Sequence, residues 1–207
     1  MELAVVILSI KLYSALVNLS LRPNIYEELL AEQQMLIDKY SSATNAITMD
    51  VIDQMVLLDA YLKESIRYSP TSTLMPRACV RDIVLSNGVT IKKNQYVGVN
   101  IHAYNRTAEA YGTKPSTFDY KRHIRLGTTL LHSEADAAIW GIGTAACPSK
   151  LYTIYTMKLI MALVIRNFRV KHKSLLGNHG YVNTNPLNDS IFYDIKSKHE
   201  LVFQIRN

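Results

Sequence analysis

The stretch WGIGTAACPSKLYTIYTMKLIMALV, residues 140–164, limits the fold more than any other. Two glycines lead into Cys147, Pro148 follows, and a long apolar segment then runs on without a break. Pro148 suits the first turn of a helix, where its missing N–H is no loss, so the spacing predicts Cys147 at a helix N-terminus. Free N–H groups and the positive dipole end favour an anion there, which is one way a protein keeps a thiolate. Gly141 and Gly143 strip side chains from the approaching loop, so a flat, bulky group could lie against the backbone. Three arrangements fit: a thiolate beneath a planar macrocycle, a redox-active or nucleophilic cysteine, and a buried free cysteine in a glycine-containing loop.

The rest of the chain reads as helices, a small antiparallel sheet, coil, the long helix and a second small sheet, which is an α+β class with helix dominant. An opening apolar helix ends at Arg22-Pro23, and a second helix covers residues 24–39. Thr48 or Asp50 caps a third, in which Val51, Met55, Leu58, Leu62 and Ile66 step by three or four. In residues 82–92, Asn87-Gly88 separates IVLS from VTI and predicts a two-residue hairpin turn with both central residues at positive φ. Val97, Val99 and Ile101 alternate on one face of a following strand, and the periodicity fades from Tyr104 to Ser133. Apolar runs at 191–195 and 201–205 predict a final pair of strands.

With 207 residues, 48% of them hydrophobic and 19% charged, the chain is long enough for one domain with a sizeable core. The formal charge of +6 is spread along the chain, which speaks against nucleic acid as a partner. Only two cysteines are present, far apart, so no disulfide framework is expected. Residues 1–21 are apolar enough to raise a membrane anchor, against which Lys11 interrupts the run and Glu2 stands where a signal peptide carries positive charge. The competing reading is an ordinary buried helix.

Two further places carry charge chemistry. Glu64 and Arg67, in KESIR, share a helix face at i, i+3 and can form a charge-assisted hydrogen bond, although most such pairs are simple surface pairs. Arg122, in FDYKRHIR, would pin its coil to that helix if it met Glu64. Arg77 precedes a strand, where it is either solvated or aimed at a ligand carboxylate.

In this order and spacing, the chain resembles the C-terminal part of a cytochrome P-450, a heme-thiolate monooxygenase, of the kind found in fungal secondary metabolism. KESIRYSP resembles the family's E-x-x-R helix and FDYKRHIR its meander. MPRACVRDIVLSNGVTIKKNQYVGVNIHAYNR resembles the hairpin and strand between them, and WGIGTAACPSK the heme-ligand loop. The resemblance implies a single partial domain over 1–207. Residues 1–22 would be the end of the central helix, 49–68 the E-x-x-R helix, 80–101 the β region and 104–139 the meander. The heme-ligand loop would be 140–150, the long helix 150–167 and the C-terminal hairpin 185–207.

It further implies heme as cofactor with Cys147 as axial iron ligand, Trp140, Gly141 and Gly143 around it, and Arg77 beside a propionate. Glu64, Arg67 and Arg122 would form the structural triad, and Thr71 to Met75 with the region of Asn188 would face a hydrophobic substrate. Electrons would come from an NADPH-dependent cytochrome reductase, which Lys150 and Lys158 could meet unless they are merely solvated. The family's location would be the endoplasmic reticulum membrane, or the cytoplasm if the first helix is no anchor. The loop departs from the family pattern at Trp140 (for phenylalanine), Ala145 (for a basic residue) and Ser149 (for glycine). Ile7 and Leu8 stand where a proton-delivering threonine is expected, with Ser9 as neighbour. Three functions are therefore set against one another: a monooxygenase of hydrophobic secondary-metabolite intermediates, a catalytically inactive remnant, and a membrane-attached interaction module.

Overall fold

The structure, a computed structural model, describes residues 2–41, 43–69, 74–131, 137–141, 143–173 and 200–206. The chain divides into two compact units, Met1–Thr71 with Thr117–Asn207, and Ser72–Ser116. Helix is dominant, with three two-stranded antiparallel sheets among the described residues.

The first unit opens with α1 (Glu2–Ser20) and α2 (Pro23–Tyr40), joined by a 108° bend. Pro23 sets that bend: it lacks an N–H to extend α1 and its fixed φ suits the start of α2. Only the second half of α1 is covered, with Ala15, Val17 and Leu19 buried, whereas Val5 is 61% exposed and Val6 and Ile7 are also exposed. No single helix among the described residues is long and apolar enough to cross a membrane.

The helix expected over residues 49–68 is two: α3 (Met49–Gln54), capped by the Thr48 hydroxyl, and α4 (Val56–Tyr68). The apolar periodicity runs through the break at Met55, so its cause lies elsewhere. Glu32 of α2 reaches across and accepts hydrogen bonds from the backbone N–H groups of Leu57 (2.6 Å) and Leu58 (3.0 Å). A carboxylate from another helix thus satisfies donors that a first turn leaves free.

The second unit holds the small sheets. Strands β1 (Leu74–Ala78), β2 (Ile83–Val84), β3 (Thr90–Ile91) and β4 (Tyr96–Asn100) lead into two short helices, α5 (Ile101–Tyr104) and α6 (Ala108–Tyr111). β1 pairs with β4 and β2 with β3. Ile101 therefore starts a helix instead of continuing the strand. The Asn87-Gly88 turn also differs from expectation. Leu85 N–H donates to Val89 O and Gly88 N–H to Leu85 O, and Gly88 alone has positive φ (83°). The loop thus has three residues with glycine in the left-handed position, and its ladder closes at Leu85 and Val89, one residue earlier on the first strand only.

Returning to the first unit, α7 (Arg122–Arg125) and α8 (Ala137–Trp140) precede α9 (Lys150–Asn167), strand β5 (Phe168–His172) and strand β6 (Leu201–Ile205). β6 pairs with β5, directly after α9; the run at 191–195 lies outside the described residues. Tyr26 of α2 pins the helix–strand junction, its hydroxyl donating to the carbonyls of Ile165 and Phe168. The core gathers Leu19, Leu29, Ile37, Leu58, Leu62 and Met161, with Trp140 buried in it and Cys147 packed at its edge.

Candidate functional site

The cysteine turn is built by the backbone. Trp140 closes α8 and is buried, its indole N–H donating to Leu130 O at 2.9 Å. The Trp140 carbonyl accepts the Cys147 N–H at 2.7 Å, which shuts the loop from 140 to 147. Within it Gly141 (φ 74°) and Gly143 (φ 57°) take up left-handed backbone that an L side chain rarely adopts. At Gly143 a Cβ would meet nothing within 4 Å, so conformation, not crowding, calls for glycine there.

Helix α9 begins at Lys150 with Ser149 as its N-cap. Cys147 and Pro148 consequently lie in a turn ahead of the helix, with Lys150 N–H donating back to Cys147 O at 3.3 Å, and not in its first turn. The dipole effect falls off within that first turn, so the turn itself, more than the helix, frames the thiol. Cys147 is a free cysteine, half-buried, and no described side chain hydrogen-bonds its sulfur.

Helix α4 carries a charged cluster around Glu64. Arg67 donates through Nε to Oε2 and through Nη2 to Oε1, both at 2.7 Å, and both side chains have 0% exposure. Arg122 Nε reaches Oε1 at 3.5 Å, the Asp119 N–H donates to Oε1 at 2.8 Å, and His123 Nε2 lies 3.0 Å from Oε2. Both arginines also donate through Nη2 to the Thr117 carbonyl. The structure thus brings Glu64, Arg67 and Arg122 together and buries them, in place of the surface pair that i, i+3 spacing most often means. Burial alone would push the Glu64 carboxyl up, but hydrogen bonds from Arg67 and His123, the Arg67 charge and the Asp119 N–H outweigh it and hold it down at about 2.

His123 gave no sequence signal, because an imidazole beside an arginine in a short helix has no distinguishing spacing. Asp59 was missed as well. It lies eight residues before Arg67, with Lys63 midway, so all three share one α4 face at i, i+4 steps. Asp59 Oδ2 accepts the Leu130 N–H at 2.8 Å, Oδ1 pairs with Lys158 of α9 at 3.1 Å, and Lys63 donates to Thr129 O at 2.8 Å. A relay results: Asp59 holds Leu130, Leu130 holds the Trp140 indole, and Trp140 holds the Cys147 N–H. Lys158, 5% exposed and paired with Asp59, is not a surface lysine on offer to a partner. Lys150 donates to Leu131 O at 2.6 Å.

Arg77 belongs to the second unit and lies within β1 opposite Val97, not ahead of a strand. Its side chain is exposed, with Nη1 donating to Pro76 O at 2.8 Å. Residues 71–73 and Asn188, expected to face substrate, lie outside the described residues. Ser9, the neighbour of Ile7 and Leu8 on α1, donates its hydroxyl to Val5 O at 2.8 Å.

Comparison with known proteins shows a family for the chain. The family model described as Cytochrome P450 matches residues 8–179. A cytochrome P450 monooxygenase of Aspergillus clavatus is 27% identical over 172 residues, covering 78% of this chain and 33% of the relative. A cytochrome P450 monooxygenase of Chaetomium globosum is 26% identical over 198 residues, 89% of this chain and 38% of the relative. A cytochrome P450 of Drosophila melanogaster is 28% identical over 158 residues, 76% and 32%. The chain spans about a third of the length of the curated relatives it matches.

Proposed function

We propose a function that starts from one premise: the chain belongs to the cytochrome P450 family, whose members are heme-dependent monooxygenases. The proposal is that Cys147 holds a heme iron through its sulfur, as the proximal part of a monooxygenase acting on a hydrophobic substrate, with electrons from an NADPH-dependent reductase. The observation that carries it is the cysteine turn. The thiol is free and at the core edge, its sulfur takes no hydrogen bond from a described side chain, and open space lies beside Gly143. A single soft thiolate in such a turn fits an iron ligand. When bound, the heme supplies the oxygen chemistry, with the thiolate donating electron density to the iron.

This chain's residues have the supporting tasks. Trp140 and the relay from Asp59 fix the backbone on which the sulfur sits. Gly141 and Gly143 let the loop turn without side chains in the way. The Glu64 cluster anchors the 117–130 segment on α4, and that segment carries Leu130, which holds Trp140. At the cysteine turn itself, Ala145 supplies no cation for a propionate.

A reading without turnover has its own observation. The alcohol nearest the expected proton-delivery position, Ser9, spends its hydrogen on the Val5 carbonyl, and Ile7 and Leu8 have none to give. The two readings share heme binding and differ in catalysis. The test is a reduced, carbon-monoxide difference spectrum of the heme-reconstituted chain beside Cys147→Ala. A red-shifted band lost in the variant supports thiolate ligation; the same spectrum with and without Cys147 overturns it. Substrate oxidation by the reconstituted chain with reductase then separates the enzyme from the inactive binder.

A further inference from the structure

Away from the cysteine turn, an open groove of ≈ 930 Å³ lies between α2, the last turn of α9 and the paired strands β5 and β6. Its charged lining is Glu27 against Arg166, Arg169 and Arg206. Among the described residues, three guanidinium groups face one carboxylate, a surplus of two positive charges. Glu27 is already engaged: Arg169 Nη2 donates to its Oε1 at 3.0 Å, and Arg206 Nη2 stands 3.5 Å from the same oxygen.

The donors left over are specific atoms. Arg166 Nη1 and Arg206 Nε are buried and have no hydrogen bond among the described residues, and Arg206 Nη2, though in ion-pair range of Glu27, makes none either. Buried guanidinium N–H groups are costly to leave unmade, and nearly all find a partner, including water or an ion. Arg206 is also held in place. Its backbone N–H donates to Asn167 O at 2.9 Å, and its guanidinium lies 5.0 Å from the Tyr26 ring centroid. A fixed, planar fork of donors with surplus charge matches an oxyanion bound through two oxygens. The volume falls within the range of small-ligand sites.

We propose that this groove binds a phosphate group, with Arg166 and Arg206 as its donors and the Arg169–Glu27 pair as its wall. A soluble ligand and a lipid headgroup present the same phosphate oxygens, and the experiment separates them. The site is independent of heme ligation, so its failure leaves the Cys147 reading untouched.

The experiment uses the full chain. Thermal unfolding is followed against inorganic phosphate at constant ionic strength, and flotation is measured with phosphatidylcholine vesicles with and without phosphatidic acid. We expect saturable stabilisation or selective flotation, weakened at least about ten-fold in apparent affinity in Arg166→Gln and in Arg206→Gln. Arg81→Gln, which removes an exposed charge in the other unit, should leave it unchanged. Glu27→Gln should strengthen it, a gain that a folding defect cannot mimic. A response to free phosphate assigns the site to a soluble ligand, and a response to vesicles alone assigns it to a lipid. No response to either overturns the proposal, as does equal weakening by Arg81→Gln.

Discussion

The Glu64 cluster and the cysteine turn lie in one unit and are held in opposite ways. Around Glu64, two arginines, a histidine and a backbone N–H converge on a single carboxylate. Around Cys147, the restraints are backbone bonds, among them Cys147 N–H to Trp140 O and Lys150 N–H to Cys147 O, and two glycines at positive φ in a turn ahead of α9. The first region satisfies itself. The second leaves its sulfur without a side-chain partner. Side chains therefore specify the scaffold, and backbone conformation specifies the turn.

The contrast is broken most directly at the scaffold. Glu64→Gln leaves Arg67 buried without its counter-charge and should cost about 3–5 kcal/mol, read as a lowered denaturation midpoint. A conservative change at the turn should cost far less. The acid limb tests the same carboxylate. Its folded value of about 2 lies below the ordinary 4.5, so its stabilisation is complete above about pH 4.5 and is lost as pH falls toward about 2. That loss amounts to about 3 kcal/mol, and a denaturation series across this window should flatten in Glu64→Gln. An unchanged slope in the variant would remove Glu64 as its origin.

The link between the two regions is next in size. Asp59→Asn weakens both the Lys158 pair and the Leu130 N–H bond, and should cost about 2 kcal/mol. It should also perturb near-ultraviolet circular dichroism of Trp140, the sole tryptophan, through the relay. The smallest effect belongs to the turn: Gly143→Ala should cost about 1 kcal/mol from its positive φ, with no clash to add. A larger loss there would mean that the turn is held more tightly than its contacts imply.

Much of this was legible in the residues, for identifiable reasons. Amphipathic steps mark α4, Pro23 marks the α1–α2 bend, and KESIR places Glu64 beside Arg67. The helix break at Met55 was not legible, because its cause, Glu32, stands 25 residues before Leu57 in another helix. The end of α9 at Asn167 was legible, but strand β5 follows it with no turn residue between them, so FRVKH did not stand out as a strand. At the cysteine, Pro148 suggested a helix start that the structure places at Lys150, because the turn continues through Ser149. Resemblance, more than spacing, brought Arg122 to Glu64, since 58 residues separate them.

The Glu32 bridge has a consequence for the order of folding. The first turn of α4 borrows its cap from α2, so that turn gains its full stability only once the two helices have met. A helix that otherwise could nucleate by itself is thereby made conditional on a tertiary encounter. Glu32→Gln should then speed unfolding more than it slows folding if docking comes late, and do the reverse if the encounter belongs to the folding nucleus. Measuring both rates would date the meeting of α2 and α4 on the folding path.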